Sequence, residues 1–144
     1  MPPRTRRSVL RLMDANANRA MEGLRVCEDI VRFHLESPHG FRRLRNLRHG
    51  VADALRQLPV TSAERLAARE SVRDPGRRAP STAVRSLEQV LLINFQRTKE
   101  SLRVLEECSR VIAPRRTQLF QRLRFLTYGM ERDLLLRLAA VRHS

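Results

Sequence analysis

The stretch Asn16-Ala17-Asn18-Arg19-Ala20-Met21-Glu22-Gly23-Leu24-Arg25-Val26-Cys27-Glu28-Asp29 decides how this chain folds, because it occurs twice. A shift of 78 positions gives Asn94-Phe95-Gln96-Arg97-Thr98-Lys99-Glu100-Ser101-Leu102-Arg103-Val104-Leu105-Glu106-Glu107. Seven of the fourteen positions are identical: Asn16/Asn94, Arg19/Arg97, Glu22/Glu100, Leu24/Leu102, Arg25/Arg103, Val26/Val104 and Glu28/Glu106. Asn18/Gln96, Gly23/Ser101 and Asp29/Glu107 are close substitutions. A shared core accounts for repeated apolar residues. It does not account for polar residues repeated in the same order, and these are the functional lead.

Outward from the motif, Met13, Ala17, Ala20, Leu24, Cys27 and Val31 step by three and four, which is one face of a helix spanning about 8–36. Ser37-Pro38-His39-Gly40 ends it, with glycine expected to allow the turn. A second helix is expected over 41–58, with the stripe Phe41, Leu44, Leu47, Val51 and Leu55, and with Arg42, Arg43, Arg45, Arg48 and Arg56 between; Pro59 stops it. Residues 59–82 are irregular apart from Thr61-x-x-Glu64, a capping box for a short helix to about Arg69. The charged turn segment 69–78 reads equally as an ordered loop over a site or a linker. A third helix starting near 82–84 carries the second motif copy and ends at Pro114. A fourth spans about 117–141, burying Phe120, Leu123, Leu126, Met130 and Leu134, which match the second helix at a shift of 79. Two such hairpins, about 8–58 and 83–141, predict an all-α single domain. Its architecture is a four-helix bundle of duplicated hairpins with approximate two-fold symmetry and a central loop.

Helical geometry then sets directions for the polar residues, since each residue turns by about 100°. Asn18, Glu22, Arg25 and Asp29 lie nearly opposite the apolar face, and Asn16, Arg19, Gly23 and Val26 lie on its flank. The second copy places Gln96, Glu100, Arg103, Glu107 and Asn94, Arg97, Ser101, Val104 likewise. A solvated face with i,i+4 pairs Arg25–Asp29 and Arg103–Glu107 explains such a ladder at a few tenths of a kcal/mol each. The recurrence of specific types, and a glycine inside a helix at a cost of about 0.5–1 kcal/mol, favour a functional or interface role. Gly23 and Ser101 would admit another backbone or a ligand. Arginine forks suit phosphate oxygens, asparagines suit a heterocycle edge, and Glu22 and Glu100 are candidates to hold Mg²⁺ beside a nucleotide. Asp14 is a candidate base or a helix N-terminal acid. No glycine-rich phosphate loop or HExxH is present. His34, His39 and His143 read as surface residues, and His49 as a packing or surface residue.

Composition sets the outer limits. The 144 residues are 42% hydrophobic and 31% charged, ordinary for a globular chain, with no apolar run near the roughly 20 residues that span a bilayer. No secretory signal pattern follows Arg4, Arg6 and Arg7, so a cytoplasmic location without membrane association is expected. Cys27 and Cys108 fit two reduced, buried thiols. The net charge of +14 suits anionic partners, including nucleic acid or nucleotide phosphates. All but one of the basic residues are arginine, Lys99 being the exception, which points to coding bias in part. One tyrosine, five phenylalanines and no tryptophan leave little for base stacking.

The motif Asp14–Asp29, its second copy Asn94–Glu107 and the stretch Leu123–Glu131 resemble the signatures of a small helical family, the alternative hydroxymethylpyrimidine phosphate kinases, often fused in front of thiamine phosphate synthase. The resemblance covers nearly the whole chain. It implies an ATP- and Mg²⁺-dependent phosphotransferase of thiamine biosynthesis, with Asn16, Asn18, Arg19, Glu22, Arg25, Asn94, Arg97, Glu100 and Arg103 at the site. The family's middle loop usually carries Arg-Asp followed by Asp-Val-Gly. Here it reads Arg69-Glu70, then Asp74-Pro75-Gly76, and proline fixes φ and removes an N–H. The synthase barrel is not expected within these residues. The twin motifs would face each other within one chain or across a homodimer, and association with thiamine phosphate synthase is implied. The alternative is a non-catalytic helical accessory or nucleic-acid-binding protein on the same fold, with the basic helix 41–58 as its binding feature.

Overall fold

The computed structural model describes residues 1–143, with side chains through residue 140; His143, expected at the surface, lies outside the described side chains. The order is α1 (Pro3–Phe33), α2 (Pro38–Arg56), α3 (Ser62–Ala68), α4 (Leu87–Ile112), a single 3₁₀ turn (Pro114–Arg116) and α5 (Thr117–His143), with no strand among the described residues. Helix α1 packs on α2 and α4, and α5 closes the ring by packing on both of those, while α3 lies on α1. One core cluster draws on all four long helices, with Met13, Leu24, Leu44, Val51, Leu102, Leu105 and Phe120 fully buried. The all-α bundle is as expected.

Helix ends differ from the periodicity reading for local reasons. Helix α1 starts at Pro3, since proline is tolerated in the first turn. It stops at Phe33, because Glu36 takes a left-handed φ of 48° and the Leu35 and Ser37 amides bond back to Ile30 and Val31. Glu36, rather than Gly40, therefore makes the turn. Gly40 sits inside α2, where a Cβ would lie 2.8 Å from Val31 Cγ1, so it permits close approach of two helices. Helix α2 begins at Pro38 behind the Ser37 cap, whose hydroxyl accepts from the Gly40 amide. Helix α4 starts at Leu87, later than expected. The Ser86 hydroxyl accepts from the Gln89 amide and the Gln89 side chain accepts from the Arg85 amide, a box that stops the helix from extending backward. The Thr61/Glu64 box caps α3 as expected.

The inner face of α1 and that of α4 match in burial at a shift of 78. For α2 and α5 the expected shift of 79 fails, because Leu126 is 47% exposed while Leu47 is buried. The buried positions coincide instead at a shift of 76: Leu44/Phe120, Leu47/Leu123, Val51/Thr127, Ala54/Met130 and Leu58/Leu134. The difference is three residues, about one helical turn. Apolar residues recur at nearly the same phase after such a slip, so sequence matching alone accepts the wrong register.

Candidate functional site

Helices α1 and α4 run antiparallel, with Cys27 beside the Leu91 carbonyl and Gly23 against Asn94 and Thr98. A Cβ on Gly23 would sit 2.5 Å from Thr98 Oγ1 and 3.3 Å from the Asn94 carbonyl oxygen. The glycine thus admits another backbone, one of the two options its sequence context offers. On the outer side of this contact runs a groove of about 400 Å³, lined by Asn16, Arg19, Glu22 and Gly23 from α1 and Asn94, Arg97, Glu100, Ser101 and Val104 from α4. The first four and their equivalents at a shift of 78 are all present. Antiparallel packing about Gly23 and Thr98 brings both motif copies onto one surface.

The local chemistry of the groove is matched as well. Asn16 Nδ2 donates to the Leu12 carbonyl and Asn94 Nδ2 to the Val90 carbonyl, both at 2.8 Å, so each amide is held by its own helix. Among the described residues, Arg19, Arg97 and Glu22 have no ion pair or hydrogen bond from their side chains. Glu100 accepts from Gln96 at 3.0 Å. Two guanidinium groups left without carboxylates differ from the solvated ladder, whose arginines would pair along the helix.

Arg25 and Arg103 do lean on their own helices, and neither lines the groove. Arg25 pairs with Glu28 at 3.4 Å, replacing the expected Asp29, and Arg103 pairs with Glu106 at 3.4 Å and Glu107 at 3.3 Å. Glu28 and Glu106 are identical in the motif and buried, yet sequence reasoning passed over them. Glu28 accepts from Arg48 Nε at 2.6 Å and Nη2 at 3.2 Å, and Glu106 from Arg124 Nε at 2.9 Å, tying each motif helix to its hairpin partner. Burial alone would raise the Glu28 pKa; the bonds and charge of Arg48, with Arg25, outweigh it and hold that carboxyl below its ordinary range. The available signal was phase: a repeated glutamate next to the inward Cys27 position. The single lysine is likewise internal, with Lys99 Nζ 2.9 Å from Glu131 and 4.6 Å from the Tyr128 ring centroid.

The segment after α3 folds over the N-terminal half of α1. Arg69 donates to buried Asp14 through Nε at 2.7 Å and Nη2 at 2.8 Å, so the loop is anchored there. A cleft of about 770 Å³ lies between them, lined by Ser8, Arg11, Asp14, Asn18, Arg69, Glu70, Ser71 and Asp74 among others, and sharing Asn16, Arg19 and Glu22 with the groove. Gly76 does not line it. The Gly76 amide donates to Asp74 Oδ1 at 2.8 Å and the Arg77 amide to the Asp74 carbonyl at 3.1 Å. Pro75 occupies the second position of this turn, where a fixed φ is favourable and no N–H is called for. The proline is accommodated without loss of a bond.

Of the remaining sequence candidates, His34, His39 and His49 are exposed, and His34 lies 3.1 Å from Glu88. Cys27 and Cys108 are buried free thiols. Burial, with Glu131 nearby, pushes Cys27 up to about 12. On the basic helix α2, Arg43 pairs with Asp133, Arg48 with Glu28 and Arg56 with Asp53. No group of three or more His, Cys, Asp or Glu is placed to hold a metal among the described residues, and no described helix is long and apolar enough to cross a membrane.

Residues 11–133, which include both motif copies and the loop, match the model of the ThiD2 family. The chain belongs to the ThiD2 family. It is 37% identical over 131 residues to a thiamine-phosphate synthase of Nostoc sp. (strain PCC 7120 / SAG 25.82 / UTEX 2576), covering 88% of this chain and 35% of that protein. It is 38% identical over 143 residues to the thiamine-phosphate synthase of Gloeobacter violaceus, covering 93% of this chain and 40% of that protein. For the Rhodopirellula baltica thiamine-phosphate synthase the identity is 33% over 138 residues, with 94% and 36% covered. The chain thus spans well under half the length of these relatives. No solved structure matches it.

Proposed function

We propose that this chain is a kinase of thiamine biosynthesis that uses ATP to convert hydroxymethylpyrimidine phosphate to its diphosphate. The observation that carries the reading is the groove in which Arg19 and Arg97, both without carboxylate partners, sit beside Glu22 and Glu100. Membership of the family and the relatives' names support placing it in this pathway. The groove is complete within one chain, so the reading needs no second copy. We read the matched burial of α1/α4 and α2/α5 as a duplicated hairpin, which would explain why both halves of the groove carry the same residues.

The reaction asks little covalent help from the protein. The second pKa of a phosphate monoester is about 6, so the acceptor is largely a dianion at neutral pH and attacks without a general base. This fits a site with no evident base. One acceptor oxygen bonds to the γ-phosphorus, the bond to the bridging oxygen breaks, and ADP departs with the electron pair. Arg19 and Arg97 would offset the crowding of negative charge and fix the two phosphates in line. Asn16 and Asn94 would meet a heterocycle edge through the amide oxygens that their bonds to Leu12 and Val90 leave open. Mg²⁺ commonly takes one or two carboxylates plus phosphate oxygens, and two glutamates in one groove suit that donor set. Glu22 and Glu100 would hold the ion, which when bound neutralises β- and γ-phosphate charge.

The test mixes protein, Mg-ATP and hydroxymethylpyrimidine phosphate and follows the diphosphate by phosphorus NMR. Turnover that falls about tenfold or more in Arg19→Gln and Arg97→Gln is expected. No turnover by the unaltered protein, together with no binding of either substrate, would refute the kinase reading. Of the α2 arginines, Arg43, Arg48 and Arg56 are engaged in ion pairs, which leaves the exposed Arg42 and Arg45 to the nucleic-acid alternative.

A further inference from the structure

Resting on that kinase reading, we propose that the two substrates divide the site: the nucleoside triphosphate takes the loop-flanked cleft, and the pyrimidine phosphate takes the groove between α1 and α4. Transfer then occurs at Asn16, Arg19 and Glu22, which line both spaces. Donor and acceptor phosphates must come within bonding reach of each other, and the shared residues mark where the two spaces meet. The γ-phosphoryl group would pass there from the bridging oxygen of the nucleotide to an oxygen of the acceptor phosphate, and no proton need move.

Size assigns the sides. The cleft holds about 770 Å³ and the groove about 400 Å³, while a nucleoside triphosphate has about twice the non-hydrogen atoms of a pyrimidine phosphate. The cleft adds Arg11 to Arg19, and Arg11 has no ion-pair partner among the described residues; Glu70 and Asp74 also line it, so a triphosphate would enter together with its cation. The groove adds Arg97 with the Asn94 amide, a set suited to one phosphate and a ring edge. The motif copies are alike, but the loop anchored by Arg69 on Asp14 covers only the first. Equal residues thereby take unequal tasks: Arg19 meets the phosphoryl group in transit and Arg97 the acceptor.

Calorimetric titration of the full chain with hydroxymethylpyrimidine phosphate, and separately with the β,γ-methylene analogue of Mg-ATP, tests the division. Arg97→Gln should weaken the pyrimidine phosphate by about ten- to a hundredfold and the nucleotide analogue by less than about twofold. Arg11→Gln should do the reverse, Arg19→Gln should weaken both, and Arg97→Lys should recover part of the loss. Circular dichroism establishes that each variant is folded. Exchanged or evenly shared effects, in a protein that still turns over, would overturn the division and leave the kinase reading standing. A native protein that neither binds nor turns over the substrates overturns both.

Discussion

Replacing Gly23 by alanine tests the contact on which the whole groove depends. The new methyl would lie 2.5 Å from Thr98 Oγ1 and 3.3 Å from the Asn94 carbonyl oxygen, both on α4. Thr98 is fully buried, and its hydroxyl donates to that same carbonyl at 2.8 Å. Either the helices move apart, at about 1–3 kcal/mol for overpacking, or Thr98 turns and leaves a buried hydroxyl unpaired at a similar cost. Alanine recovers about 0.5–1 kcal/mol through better helix propensity. The net expectation is a loss of about 0.5–2 kcal/mol. At about 2–4 °C per kcal/mol for a chain of this size, calorimetry should show a Tm lower by several degrees. Thr98→Ala removes the clashing oxygen and keeps its Cβ at 3.8 Å, an ordinary contact. Gly23→Ala combined with Thr98→Ala should therefore lose less than the two single changes added together. Strict additivity, or a Gly23→Ala protein as stable as the parent, would show that α1 and α4 do not meet here.

Leu126→Ser should change stability by less than about 0.5 kcal/mol in urea unfolding, while Leu123→Ala should cost about 2–4 kcal/mol; losses of similar size at both positions would restore the shift-79 register, which buries both. Glu28→Gln should destabilise by about 2–4 kcal/mol, because it leaves Arg48 without its carboxylate. Because the folded Glu28 pKa is depressed, its contribution is fully present above the unfolded carboxylate value and is lost as pH falls through the lower folded one. The variant's stability curve should accordingly be flatter on the acid side. Cys27 should resist a disulfide thiol reagent at neutral pH in the native state. With its pKa raised from 9.0 to about 12, stability tied to it is complete below about 9 and declines as pH rises toward 12. Arg69→Ala should free the loop from Asp14, read as faster amide exchange in 69–77, and should lower the Tm as well, because the buried Asp14 carboxylate loses its partner.

Much of this protein was legible in one dimension. The inner faces of α1 and α4, the capping box of α3 and the outward direction of Asn18, Glu22 and Arg25 follow from a 3.6-residue period, which acts over a few turns and needs no partner. The recurrence of Asn16, Arg19 and Glu22 at Asn94, Arg97 and Glu100 also marked residues that line one groove. What the sequence could not determine depends on which helix lies against which. Antiparallel packing of α1 on α4 put both motif copies in one groove and turned Arg25 and Arg103 away from it onto Glu28 and Glu106. The same packing gave Gly23 its purpose, and the packing of α2 on α1 gave Gly40 its own, each as a gap for a neighbouring helix. Arg48 and Arg124, matched at a shift of 76, set the register of α2 and α5 that leucine spacing placed one turn away. These are distances between residues far apart in the chain, and periodicity within a helix carries no information about them.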